Sequence, residues 1–360
     1  TPPSAFELIA QRIAEQELSP RSRIVVEKPF GRDVESARSL NEALHRVFDE
    51  NQIFRIDHYL GKETVQNILV LRFSNGMFEP IWNRRYVSSV QVDVAESVGI
   101  EGRGKFYEEA GVIRDIVQNH MMQLVATLMM EPPASFDAES IRDEKVKLLR
   151  AVPRLKPENV VRGQYVSGMV DGKGVVGYRQ ETDVASDSFT ESFVAIRAEI
   201  ENWRWAGVPI FLRTGKRLPL RATTITVVFK DAPHMLFEES GLAAPSPNHL
   251  TIRVQPDEGI TLTFDAKVPG PEMEIAPVDM SFDYDTSFMT EPAEAYERLI
   301  HDAMEGDATL FTRADEIERA WEIVEPLLDK TRPEFYEAGS WGPRESEQLV
   351  APGIWHLADH

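Results

Sequence analysis

Arg55-Ile56-Asp57-His58-Tyr59-Leu60-Gly61-Lys62-Glu63 marks the point where one kind of sequence gives way to another. Just before it, Ile53-Phe54-Arg55-Ile56 reads as a strand, and a helix is expected from about Lys62. Upstream, Phe6 to Glu17 reads as a short helix and Ile24-Val25-Val26 as a buried strand running out at Glu27-Lys28-Pro29. Asp33 to Phe48 reads as a second helix. This α-β-α-β alternation is the texture of a parallel α/β layer. A dinucleotide-binding fold needs two such halves, so residues 1–58 read as the remnant of one, with Thr1-Pro2-Pro3-Ser4 as a cut edge.

Beyond that stretch the period changes. Val90, Val92 and Val94 alternate with Gln91, Asp93 and Ala95, and Ile260, Leu262, Phe264 and Ala266 alternate with Thr261, Thr263, Asp265 and Lys267. Strands with one wet face are expected. Gly163 to Val170, Ser192 to Ile200, Pro209 to Arg213, Thr223 to Phe229 and Leu250 to Val254 are further strand candidates. Helices are expected near Ala293 to Glu305 and Ala314 to Leu328, with Thr312 and Asp315 resembling a capping box. The fold class is thus α/β plus α+β: a truncated Rossmann-like layer, then a β+α domain over 59–360 with a large, mainly antiparallel sheet.

Bulk composition narrows the function classes. The 360 residues are 42% hydrophobic, enough for a sizeable core, and carry 39 basic against 59 acidic side chains for a net charge of -20. Such a field repels nucleic acid and anionic membranes, so any anionic ligand needs a locally basic pocket. There is no cysteine, which excludes disulfides and thiolate metal sites and fits the cytoplasm. No apolar run approaches the ~18 residues of a membrane span.

Four segments carry chemistry. At the Asp57–Glu63 junction, unpaired helix N–H groups with His58 and Lys62 are suited to a phosphate, a surface turn being the plainer reading. In the helix Val112 to Met130, a rotation of ~100° per residue puts His120 within ~40° of Ile113, Ile116 and Leu124. It is either a satisfied core histidine or a general base. Asp115 falls ~140° from His120 on a regular helix, so the group orienting the imidazole must come from elsewhere, and Asp57 is the candidate. Arg213-Thr214-Gly215-Lys216-Arg217-Leu218-Pro219-Leu220-Arg221 has four cations and no acid, an anion-binding signal or a solvated basic turn. Lys28, at a strand's carboxyl end, is placed to reach a ligand.

Together these segments resemble the glucose-6-phosphate dehydrogenase family. The stretch from Arg55 to Glu63 is close to the family signature, and Glu27-Lys28-Pro29-Phe30-Gly31, Arg114-Asp115 with Gln118-Asn119-His120, and Arg213-Thr214-Gly215-Lys216 stand around it in the family's order. The similarity runs from Thr1 to about Leu328. It implies oxidation of glucose 6-phosphate at C1, with His120 taking the hydroxyl proton and Asp57 orienting it. It further implies His58, Tyr59 and Lys62 on the phosphate, Glu96 and Asp115 on sugar hydroxyls, and Lys216 and Arg221 as substrate contacts. Lys28 would touch substrate and coenzyme, with Pro29 cis, and no metal is implied.

The implied coenzyme is NADP, and the implied assembly is a homodimer or dimer of dimers. The family's G-x-x-G-D-L turn is absent from this sequence, so most of the coenzyme site is expected to be missing. The chain alone is then expected not to turn over at a family rate, and to leave apolar surface uncovered or disordered before about residue 50. A non-catalytic sugar-phosphate-binding or regulatory relative is the alternative, disfavoured by the Asp57/His120 pair, because binding alone has no need of a base.

Overall fold

The computed structural model describes residues 5–234, 247–288 and 294–359. The first layer is α1 (Phe6–Glu15), β1 (Ile24–Glu27), α2 (Val34–His45) and β2 (Ile53–Ile56). The two strands pair in parallel with Ile24 opposite Ile53, as the alternation predicts. α2 starts where Asp33 accepts the Ser36 N–H at 2.8 Å and Ser36 Oγ accepts the Asp33 N–H at 3.2 Å, a capping box that satisfies two donors at once. Helices flank this layer, but β1 is only partly buried, against the expectation of a buried strand: Val26 is covered, whereas Val25, like Leu8 of α1, remains about half exposed (47% and 53%), because no further strand or helix lies over that side among the described residues.

The larger part continues through α3 (Glu63–Phe73), β3 (Val87–Ala95), α4 (Gly104–Val112), a π-helical segment (Ile113–Met121), α5 (Met122–Met129) and α6 (Ala138–Ala151). β4 (Val160–Val166), the hairpin β5 (Gly168–Val170) and β6 (Lys173–Val175), β7 (Phe193–Ala198), β8 (Ile210–Gly215) and β9 (Ala222–Phe229) follow. Then come β10 (His249–Gln255), β11 (Gly259–Lys267), β12 (Ile275–Asp283), α7 (Tyr284–Phe288), α8 (Ala295–Glu305), α9 (Ala314–Val324), β13 (Glu334–Glu337) and α10 (Glu345–Val350). Among the described residues, nine strands form one sheet in the order β12-β11-β10-β9-β3-β8-β7-β4-β13. It is mainly antiparallel, with parallel pairs at β3/β8 and β4/β13.

Two local expectations are corrected. Over residues 90–95 β3 has no wet face: Gln91 and Asp93 are buried like the valines they alternate with. The chain's last residues cover that side, where Gln91 Nε2 donates to Ile354 O at 2.7 Å, and Asp93 meets Arg213 at 2.6 Å. The α9 cap is Arg313, whose N–H donates to Glu316 Oε1 at 3.0 Å, because Thr312 Oγ1 is turned to Arg55 O at 3.3 Å. α9 also holds the first layer to the second, through Trp321 Nε1 donating to Phe30 O at 2.9 Å. Among the described residues, no helix is long and apolar enough to cross a membrane.

Candidate active site

β2 delivers Asp57 into the interior. Leu60, Gly61 and Lys62 then donate back to the carbonyls of Asp57, His58 and Tyr59 (3.0, 3.2 and 3.2 Å), and α3 begins at once with Lys62 as its N-cap. Gly61 is required here, since a Cβ would lie 2.7 Å from Ala295 O of α8. Asp57 Oδ1 accepts the Tyr59 N–H at 3.1 Å and meets His120 Nδ1 at 2.5 Å. Both side chains are buried, at 2% and 1% exposure. This is the partner proposed from sequence, reached because β2 ends against the buried face of the helix carrying His120.

That helix is not regular, which corrects the placement of Asp115. Residues 113–121 are π-helical, and the Met122 N–H reaches back to Val117 O. An i→i+5 register lays residues five apart over one another, whereas an α-helix would separate them. Asp115 and His120 therefore share a face, and Lys28 Nζ meets both. It lies 3.2 Å from Asp115 Oδ1, 3.0 Å from Asp115 O and 2.9 Å from His120 Nε2. Inside the turn, the Asn119 amide donates to Arg114 O at 3.3 Å and accepts the His120 N–H at 2.6 Å, so a side chain is bonded to the helix backbone on both sides of its own position.

These contacts fix the imidazole's protonation pattern. An ammonium has no acceptor, so Lys28 donates to Nε2, which must carry a lone pair; Nδ1 carries the proton and donates to Asp57. Burial opposes ionisation of Asp57, but His120, His58 and Lys28 outweigh it and hold the carboxyl below its ordinary value. Burial also opposes ionisation of Asp115, and Lys28 and Lys216 outweigh it in the same way. His58, packed edge-on to His120 at 4.6 Å, is pulled down to about 4, first by burial and then by its cationic neighbours. Tyr59 stacks on His120 at 4.3 Å and anchors its hydroxyl on Thr223 Oγ1 at 3.2 Å.

The second half of the site comes from the sheet. β3 and β8 are parallel neighbours with Ala95 opposite Gly215, so the residues just beyond their ends, Glu96 and Lys216, emerge side by side and pair at 2.8 Å. Arg221 precedes β9. A cavity of about 1340 Å³ is lined by Lys28, Pro29, His58, Tyr59, Glu96, Asp115, His120, Lys216 and Arg221, with Arg32, Asp33 and Glu191 also on its wall. The Lys28–Pro29 peptide is cis. Asp57 lies behind His120. Lys62 is not on the cavity wall; its Nζ is 6.0 Å from the Tyr59 ring, and burial lowers its pKa, with Glu258 opposing.

The basic run resolves into two pairs. Lys216 and Arg221 reach the cavity, whereas Arg213 is buried between the rings of Trp341 and Trp355 (4.8 and 4.3 Å), and Arg217 lies near Glu101 and Glu181. Glu191 was missed in the sequence, where Thr190-Glu191-Ser192 has no spacing signal to mark it.

The family profile "Glucose-6-phosphate dehydrogenase, NAD binding domain" matches residues 1–67, and "Glucose-6-phosphate dehydrogenase, C-terminal domain" matches residues 69–356. A glucose-6-phosphate 1-dehydrogenase of Aggregatibacter actinomycetemcomitans is 49% identical, over 99% of this chain and 74% of its own length. Glucose-6-phosphate 1-dehydrogenase 2 of Mycobacterium bovis is 48% identical, over 97% and 70%. Among solved structures, the Mycobacterium avium enzyme superposes with a TM-score of 0.88 at 42% identity. A glucose-6-phosphate dehydrogenase in complex with glucose 6-phosphate superposes with a TM-score of 0.92 at 38% identity, and each of these two alignments covers 99% of this chain and 74% of the other. An imidazole held between a buried carboxylate and a lysine, on a sheet and helix set shared along nearly the whole chain with these relatives, has one family reading: the chain belongs to the glucose-6-phosphate dehydrogenase family of oxidoreductases, with a nicotinamide-dinucleotide-binding domain.

Proposed function

We propose that this chain carries the site that binds glucose 6-phosphate and, once a glycine-rich coenzyme turn is supplied, oxidises it at C1 to 6-phosphogluconolactone, the opening step of the oxidative pentose phosphate route. The observation that carries this is the Asp57–His120–Lys28 chain, which leaves a deprotonated Nε2 at the cavity wall beside Lys28. His120 takes the C1 hydroxyl proton at Nε2 once Lys28 gives up its bond there, and Asp57 stabilises the imidazolium that forms. Lys28 is then free to donate to the sugar or coenzyme. His58, Tyr59 and Lys62 hold the 6-phosphate, Lys62 by turning its ammonium inward, while Glu96 and Asp115 take sugar hydroxyls. Lys216 and Arg221 offset the substrate's charge in a chain that is acidic overall.

When bound, the dinucleotide supplies the hydride acceptor. Lys28 and Pro29 would hold its nicotinamide end. The fit is supported by the cavity, which exceeds the ~300–1,000 Å³ usual for one small ligand and continues to Arg32 and Asp33 beyond β1. NADP, rather than NAD, is proposed on the family resemblance, as are a homodimer or dimer of dimers and a cytoplasmic location.

The test is His120→Asn in a form carrying a glycine-rich coenzyme turn. kcat should fall by roughly 10²–10⁴-fold, the usual share of a positioned base, with glucose 6-phosphate affinity nearly unchanged. A variant turning over near the parent rate would return His120 to the role of a core histidine.

A further inference from the structure

What holds the π-helical register lies outside the helix. α4 is interrupted at Gly111, whose backbone (φ 61°, ψ 177°) leaves the helical region. The next two N–H groups are among those a helix start leaves without partners, and both go to one residue. Val112 donates to the main-chain oxygen of Glu191 at 3.1 Å, and Ile113 donates to Glu191 Oε1 at 3.3 Å. A Cβ at position 111 would stand 2.4 Å from that same Oε1, so glycine and glutamate interlock. The neighbouring Ser192 accepts the Lys216 N–H on its carbonyl at 2.9 Å, tying this short segment to the other half of the site.

We infer that Glu191 is a positioning residue of this site: by capping residues 112–113 with both its main chain and its carboxylate, it fixes the register that puts Asp115 and His120 on one face. A π-helix is rare and seldom longer than a single turn. It persists where its surroundings over-determine it. An α-helical register would swing Asp115 away from His120, and with it the two contacts to Lys28 at 3.0 and 3.2 Å. A carboxylate is suited to the task, since an acceptor at a helix N-terminus meets both the free donors and the positive end of the dipole. Glu191 is half-buried on the cavity wall, and burial raises its pKa against the opposing bond from Ile113.

The inference deepens the proposed function and rests on its reading of Asp115 as a sugar ligand, so its test has a readout independent of substrate. Glu191→Gln keeps an acceptor oxygen; Glu191→Ala does not. In the full chain without ligand, the His120 Nδ1–H resonance seen by ¹⁵N-edited NMR should persist in Glu191→Gln and shift or vanish in Glu191→Ala. By calorimetry, Glu191→Ala should weaken glucose 6-phosphate roughly ten-fold, as for loss of one hydrogen bond to a charged group. Glu191→Gln should stay within about three-fold, and in an Asp115→Ala background Glu191→Ala should add less than about two-fold, because residues acting through one contact are not additive. An unchanged resonance in Glu191→Ala would overturn the assignment, and so would equal losses in both variants or full additivity with Asp115→Ala. If the parent chain bound no glucose 6-phosphate, the functional reading would fail while the resonance still judged Glu191.

Discussion

Asp57→Asn separates two jobs that the carboxylate does at once. Asp57 Oδ1 accepts from both Tyr59 N–H (3.1 Å) and His120 Nδ1 (2.5 Å), so the atom at that position must be an acceptor. An asparagine flipped to bring its NH₂ there would face two donors. It therefore keeps its oxygen toward His120, the imidazole keeps its tautomer, and only the charge is lost. A carboxylate and an imidazolium about 4 Å apart at an effective dielectric constant of about 20 attract by about 4 kcal/mol. The retained amide dipole recovers part of that, leaving a loss of roughly 2–4 kcal/mol, or about 30- to 1,000-fold in kcat at ~1.4 kcal/mol per decade. The displaced NH₂ falls at the Oδ2 position, buried and without a hydrogen-bond partner, adding a stability cost of ~1–3 kcal/mol. The assay is steady-state coenzyme reduction for Asp57→Asn, His120→Asn and the double variant, all in the form carrying a glycine-rich coenzyme turn, with urea unfolding alongside. Glucose 6-phosphate affinity should move less than about three-fold, and the double variant should be no slower than His120→Asn, since both act on one proton transfer. Strict additivity, or Asp57→Asn turning over like the parent, would refute the dyad.

Two further outcomes follow from local geometry. His58 falls from 6.5 to about 4 on folding, chiefly through burial. Between those values the unfolded chain holds the extra proton, so stability should decline as pH falls through that window, by up to about 3 kcal/mol. His58→Gln should flatten the decline in unfolding titrations between pH 4 and 6.5, and an unaltered slope would show that the destabilising protonation lies elsewhere. Gly111→Ala places a side chain at φ 61° and 2.4 Å from Glu191 Oε1, so it should cost at least ~1–3 kcal/mol in thermal unfolding and weaken glucose 6-phosphate as Glu191→Ala does. A neutral Gly111→Ala would mean that the interruption of the helix is not what sets the register after it.

The sequence by itself determined what local pattern and residue chemistry can determine. The β-branched runs at Ile24-Val25-Val26 and Ile53-Phe54-Arg55-Ile56 specify the paired strands, and period-2 alternation specifies β3 and β11. Helix arithmetic placed the partner of His120 off its own helix, and Asp57 in the Arg55–Glu63 stretch was the candidate, a role the family resemblance also implied. Where a helix or strand takes its form from remote groups, the pattern was silent or misleading. Asp115 looked turned away because angular arithmetic assumes an α-helix, while the actual register depends on Glu191, seventy-odd residues on, and on an asparagine amide inserted in the ladder. Gln91 and Asp93 looked wet because alternation cannot tell which distant segment will cover a face. The run from Arg213 to Arg221 read as one anion-binding segment or one basic turn, because a run of cations does not disclose which of them will find acidic partners, as Arg213 does in Asp93 and Arg217 in Glu181. Lys28 was legible as a residue at a strand's end, but its place between Asp115 and His120 is a meeting of β1 with a distorted helix, and only the packing of the two brings these three side chains to one point.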